Sequence, residues 1–214
     1  MKTLLQTWYR ARLAVTALAN DGSGVAAIEF AMLVPIMLVL FFGTVIFSSG
    51  VAVDRKVTLM ARTFSDLVSQ NISVSSVQLQ NFFNADVAIM TPYDSTPTSA
   101  IVTELYIDPT TLAPKVIWSV AYNGTNANPQ VSPRGSSYVV PSFPSSLAVG
   151  GTYLIYSEIG YAFTPPAAGA MGFMANGIAL KDVAYTRPRQ SACVINPTPT
   201  SGALPACPTV YTAP

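Results

Sequence analysis

Residues 24–53 read Gly24-VAAIEFAMLVPIMLVLFFGTVIFSSGVA-Val53, and between Asp21 and Asp54 the sole ionisable side chain is Glu29. An α-helix rising about 1.5 Å per residue crosses a hydrocarbon layer of about 30 Å in about 20 residues, so this run is long enough to span a bilayer. The stretch therefore reads as a transmembrane helix over 25–53. Pro35 stands inside it. It removes the hydrogen bond to the Ala31 carbonyl and is expected to kink the helix, which membrane helices tolerate.

Glu29 is the fifth residue after Gly24, where the helix has already entered the apolar run. A carboxylate there costs on the order of 2.5 to 3.5 kcal/mol on insertion scales, so it calls for a partner. It can alternatively sit as a helix-entry carboxylate, stabilised by the positive end of the helix dipole and snorkelling to the interface. Gly, four residues, then Glu in an apolar helix resembles the processing and assembly signal of type IV pilins and pseudopilins. With Phe30 and Pro35, the run G-V-A-A-I-E-F-A-M-L-V-P is similar to the start of the TadE/TadG-like family of the tight-adherence (Tad, type IVb) pilus system. That resemblance implies cleavage between Gly24 and Val25 by a membrane-embedded prepilin peptidase. It also implies that Glu29 pairs with the new amino terminus of its own or a neighbouring subunit.

The remaining composition bounds the chain further. It has 214 residues, a formal net charge of +1 and only 10% charged residues, which leaves one soluble domain of ordinary size beyond the span. No concentrated Lys/Arg patch is present, which argues against nucleic acid as a partner. With no His, catalysis by Ser/His/Asp or Cys/His and His-ligated metal sites are excluded, and no cofactor or metal is expected. Cys193 and Cys207 are the only cysteines. As a disulfide, rather than as free thiols, they would close a loop of about 15 residues and stabilise the fold by about 3 kcal/mol in the chain-entropy model. Such bonds persist outside the cytosol, which places the C-terminal domain on the exported side.

Residues 1–24 form a basic leader with Lys2, Arg10 and Arg12, expected in the cytoplasm. Arg55, Lys56 and Arg62 follow the span, so counting Lys and Arg leaves the orientation tied, and the cysteines break the tie. Beyond the membrane, Val53, Val57, Met60, Phe64 and Leu67 recur at helical spacing, so the helix is predicted to continue to about Ser69. A second helix is predicted from Ser76 to about Ala88, capped by Ser75 or Ser76. From Ala100 the period changes to two. Ile101–Ile107 and Val116–Tyr122 read as a hairpin, 123–144 as a long connection holding the short run Tyr138–Val140, and Thr152–Phe163 and Ile178–Thr186 as two further strands. The expected fold class is α+β, a long transmembrane helix running into a pilin-like domain (54–189) with a mainly antiparallel sheet of about four strands. A Pro/Thr-rich tail (190–214) carries the disulfide loop.

The closing run Y-L-I-Y-S-E-I-G-Y-A-F-T-P-P, then a small-residue linker and A-Y-T-R-P-R, is similar to the last hairpin of TadE/TadG-like proteins. Larger members of the TadG type add a metal-binding domain, and Asp94-Ser95-Thr96 superficially matches its loop, but no strand is predicted before it and it reads as a solvated turn. The resemblance implies a non-enzymatic minor pilin or pseudopilin in the inner membrane. Its partners would be the lipid bilayer, other pilins, inner-membrane assembly proteins and the peptidase. Two other readings stay open. One is an uncleaved bitopic scaffold of the secretion apparatus. The other is a tethered ligand-binding domain or enzyme using Glu104, Asp108, Glu158 and Asp182, whose expected place is the polar outer face of the sheet.

Overall fold

A computed structural model describes residues 23–124, 126–131, 134–135, 137–165 and 177–196, the side chains of 126–131 excepted. The leader as far as residue 22, and the tail from 197 including Cys207, lie outside the described residues. The chain falls into two units, divided between Ser48 and Ser49. Helix α1 (Ser23–Ser69) supplies the described part of the first unit and opens the second.

The second unit packs α1 and a short helix against one sheet. Helix α2 (Ser76–Val87) starts with a capping box, in which Ser75 Oγ accepts from the Gln78 amide at 3.3 Å and Gln78 Oε1 accepts from the Ser75 amide at 2.9 Å. That exchange satisfies two amides that an isolated helix start would leave unpaired. A 3-10 turn, Ala88–Met90, ends it. The sheet has five antiparallel strands, β1 (Thr98–Ile107), β2 (Pro114–Asn123), β3 (Asn126–Val131), β4 (Tyr153–Phe163) and β5 (Ile178–Thr186), in the spatial order β3-β2-β1-β4-β5. The α+β class and antiparallel sheet follow the sequence reading; β3 is an addition to it. Asn126-Ala-Asn-Pro-Gln-Val131 has no β-branched or aromatic alternation, and its Pro129 is tolerated because the strand sits at the edge.

The helix stripe buries as its spacing predicts. Val53, Val57, Met60, Ala61, Phe64 and Val68 are fully buried against Ala100, Val102, Trp118, Val120, Tyr122, Ile155 and Ile159, while Leu67 is only half-buried. Phe64 meets Phe83 and Tyr122 edge-on, with centroids at 6.3 and 6.2 Å, and Phe83 stacks on Tyr122 at 5.2 Å. β4 runs antiparallel to α1. Ser65 Oγ donates to the Ile155 carbonyl, Ser157 Oγ donates to the Ala61 carbonyl at 3.0 Å, and a Cβ on Gly50 would lie 3.6 Å from the Phe163 ring.

The other sheet face is covered as well. Leu105, Ile107, Val116, Leu154 and Tyr156 form a second apolar cluster with Val140, Tyr138, Phe143 and Leu147 from the connection before β4. Tyr138–Val140 is thus no strand; it serves as cover. A bulge allows both clusters to form, since Glu104 pairs with Trp118 but Leu105 with Val116, leaving Ile117 as the extra residue. Val116 thereby turns away from the helix and joins Leu105 on the second face. The chain after β5 then returns to the end of α1. The Arg189 amide donates to the Ser69 carbonyl, and Ile195 exchanges backbone bonds with Ile72 and Val74 in a short parallel bridge beside Ser73.

Candidate functional site: the exposed helix and the buried carboxylates

From Val25 to Phe47 the helix presents large apolar side chains in every direction. Phe30, Met32, Leu33, Ile36 and Met37, which fall within about two turns, are all more than half exposed. A helix apolar all round has no solvated face and must be covered by lipid or by other apolar helices. Among the described residues this one helix is long and apolar enough to cross a membrane, and little of its most apolar stretch is buried within the protein. Thr44, the hydroxyl within that run, is satisfied internally by donating to the Phe41 carbonyl at 2.8 Å.

Gly24 and Val25 lie within α1. A Cβ on Gly24 would meet nothing within 4 Å, so the fold itself does not require glycine there, although glycine costs a helix about 1 kcal/mol relative to alanine. Glu29 stands four residues beyond Val25 and so one turn along the same face. It is exposed and takes part in no ion pair among the described residues. Pro35 is inside α1, which continues unbroken through it.

The four carboxylates that could have formed an acid/base pair are not brought together. Glu104 faces the helix side, opposite Ile155, whereas Glu158 faces the other side, opposite Ile101. Asp108 closes the β1–β2 turn: the Lys115 ammonium and the amides of Thr110 and Thr111 donate to it and hold its carboxyl down to about 2. Asp182 accepts from the Val183 amide on β5. The solvated outer-face position expected of Glu104 and Glu158 is corrected by the structure, which leaves them 2% and 3% exposed. A period-two pattern identifies faces but cannot show that both faces are covered. Asp94, by contrast, is the exposed turn its sequence suggested, accepting from the Thr96 amide and hydroxyl.

Each buried carboxylate fastens a different segment. Glu104 Oε1 accepts from the Val194 amide at 2.6 Å while Trp118 Nε1 donates to the Val194 carbonyl at 2.8 Å, so two side chains grip both polar groups of one peptide residue. Cys193, immediately before it, is fully buried. Glu158 takes Arg134 Nη2 at 2.9 Å and lies 2.6 Å from the Lys181 ammonium, with Arg134 also 4.2 Å above the Tyr138 ring. That cluster ties the covering connection to β4 and β5.

Asp86 is the exception. It lies on α2, 1% exposed, and neither carboxyl oxygen has a hydrogen-bond partner among the described residues. Burial pushes its carboxyl up to about 8, and burial raises Glu104 to about 8 as well, against the lowering effect of the Val194 and Trp118 bonds. The folded domain keeps protons here that the unfolded chain releases near pH 4, so this stability is complete below pH 4 and declines as pH rises towards 8. The slope is on the order of 1.4 kcal/mol per pH unit for each group. Denaturation of the detergent-solubilised protein, followed by Trp118 fluorescence, should therefore give a midpoint that falls between pH 5 and 8. Asp86→Asn should flatten that fall; an unchanged slope would remove Asp86 as a source.

Residues 24–63 match the model of the TadE-like protein family. No curated protein and no solved structure gives a significant match to the chain. The matched segment begins at Gly24, includes Val25, Glu29 and Pro35, and ends within the part of α1 that packs on the sheet.

Proposed function

We propose that this chain, TadE-like over residues 24–63, is a minor pilin or pseudopilin that serves in the assembly of a Tad-type pilus. It is anchored in the inner membrane by 25–53, with the leader 1–24 cytoplasmic, 54–189 outside the cytoplasm, and a prepilin peptidase cutting after Gly24. Its role is structural rather than enzymatic. The observation that carries this reading is the helix itself, apolar and exposed on all sides, with one carboxylate five residues after a glycine that the fold does not need. Lipid covers that surface first; a bundle of similar helices from other pilins and assembly proteins can replace the lipid only if it also supplies a partner for Glu29. Cleavage creates such a partner, an α-amino group at Val25.

The intact mass of the protein purified from its own membranes tests this, with and without the cognate peptidase. A species starting at Val25 only where the peptidase is present is the expected result. A chain that keeps residues 1–24 in both strains would refute cleavage and leave an uncleaved bitopic scaffold. The same spectra, taken with and without reductant, should differ by the two hydrogens of a Cys193–Cys207 disulfide.

A further inference from the structure

Strand β5 forms one edge of the sheet and β3 the other. An edge strand offers unpaired amides and carbonyls to any extended chain that comes alongside. β3 is blunted, because Pro129 within its six residues has no amide to donate and its pairing with β2 slips between Ala121 and Asn123. β5 lacks these defences. It runs nine residues without Pro or Gly and keeps one register with β4 throughout. Ile178 and Val183 are 41% and 39% exposed, and Lys181, of the residue type that often protects an edge, is drawn back to Glu158 at 2.6 Å.

The direction of each backbone group on β5 follows from the register. Thr98 of β1 faces Tyr161 of β4, and one step on, the Ala162 amide donates to the Pro97 carbonyl. Successive residues of an antiparallel strand turn their backbone groups to opposite sides, so the even-numbered residues of β4 bond towards β1 and the odd-numbered ones towards β5. Their partners are the even-numbered residues of β5, from Ile178 to Thr186. Ala179, Lys181, Val183 and Tyr185 are left pointing out of the sheet. Near the middle of that edge the Val183 amide has an acceptor, Asp182 Oδ1 at 2.8 Å. A strand joining there would have to bring its own carbonyl to the place the carboxylate occupies.

We propose that Asp182 is an edge guard, whose grip on the Val183 amide keeps β5 from pairing with β5 of a second copy of this chain. A second copy is the occupant that the strand itself fits. Two antiparallel copies related by a two-fold axis at Val183 continue one sheet, and the two Val183 residues would exchange both hydrogen bonds through the amide that Asp182 holds. Lys181 of each copy then faces Tyr185 of the other, and the exposed Val183 side chains cover each other. The inference concerns the sheet alone and depends neither on the membrane span nor on cleavage after Gly24.

Full-length protein in detergent tests it in two ways. Hydrogen exchange resolved at single amides of the unaltered chain should be about tenfold slower at Val183 than at Lys181, which points outward from the same strand. Equal rates would overturn the guard. Self-association measured by sedimentation equilibrium comes second, with α1 a background common to every variant. Asp182→Ala and Asp182→Val should associate about tenfold more tightly than the unaltered chain, whereas Asp182→Asn, which keeps the Oδ1 acceptor, should not. Adding Val183→Pro, which removes the outward amide and no bond to β4, should abolish the gain. Unchanged association of the Ala and Val variants would overturn the proposal, and so would a gain that survives Val183→Pro, since it would run through another surface. Should a substitution prevent folding, the exchange rates of the unaltered chain still decide.

Discussion

Glu29→Val should leave the protein in the membrane and abolish its entry into the assembled structure. Insertion becomes easier by about 2.5 to 3.5 kcal/mol, because a carboxylate is removed from an apolar helix. If Glu29 sets the register as proposed, assembly loses the specific polar interaction that an otherwise apolar rod offers, since dispersion contacts between apolar helices are as favourable in a slipped register as in the correct one. Loss of a charge pair in that low-dielectric setting is worth about 3 kcal/mol or more, roughly a hundredfold in the fraction of subunits incorporated. Membrane fractionation and quantification of sheared surface material would show both effects. Normal piliation by the Val variant would reject the register role, whereas poor membrane recovery would mean that the substitution had damaged the subunit itself. Glu29→Asp, which keeps the charge but shortens its reach, should fall between the two.

Glu158→Ala should destabilise the folded domain by about 3 to 5 kcal/mol, a large share of what a domain of this size has in reserve. The carboxylate is 3% exposed and carries Arg134 and Lys181, so its removal leaves the half-buried guanidinium facing an apolar sheet and frees the covering connection that holds Tyr138, Val140 and Phe143 in place. Lys181→Ala makes the matched comparison. Its side chain is 58% exposed, so its contribution is screened and the cost should stay within about 1 kcal/mol. Denaturant midpoints of the two variants, followed by Trp118 fluorescence, decide the matter. Equal midpoints would show that the cluster is not what holds the connection down.

The effects at Glu29 and Glu158 lie on different links of the chain from sequence to function. On the proposed reading, the fold is indifferent to Glu29 and the assembly is not, whereas Glu158 is tied into the fold through Arg134 and Lys181. Both began as the same observation, an isolated acidic residue in an apolar context. Only the surroundings separate them.

The helix, its exposed apolar half and its packing stripe were legible from the sequence because α-helical spacing is local. Val53, Val57, Met60 and Phe64 recur at intervals that can form a single face, and they are buried on that face. An N-cap at Ser75 or Ser76 and the limits of β5 were legible for the same reason, while the reciprocal bond from Gln78 came with the structure. The TadE-like match covers this local region and stops at residue 63. Tertiary structure alone decided the rest: that Asn126–Val131 pairs as an edge strand, that a bulge at Ile117 sends Val116 to the second core, and that the chain after β5 returns to Glu104 and Trp118. It also decided that Glu104 and Glu158 are buried. Alternation along a strand states which side chains share a face, but whether that face meets water depends on segments dozens of residues away in the sequence.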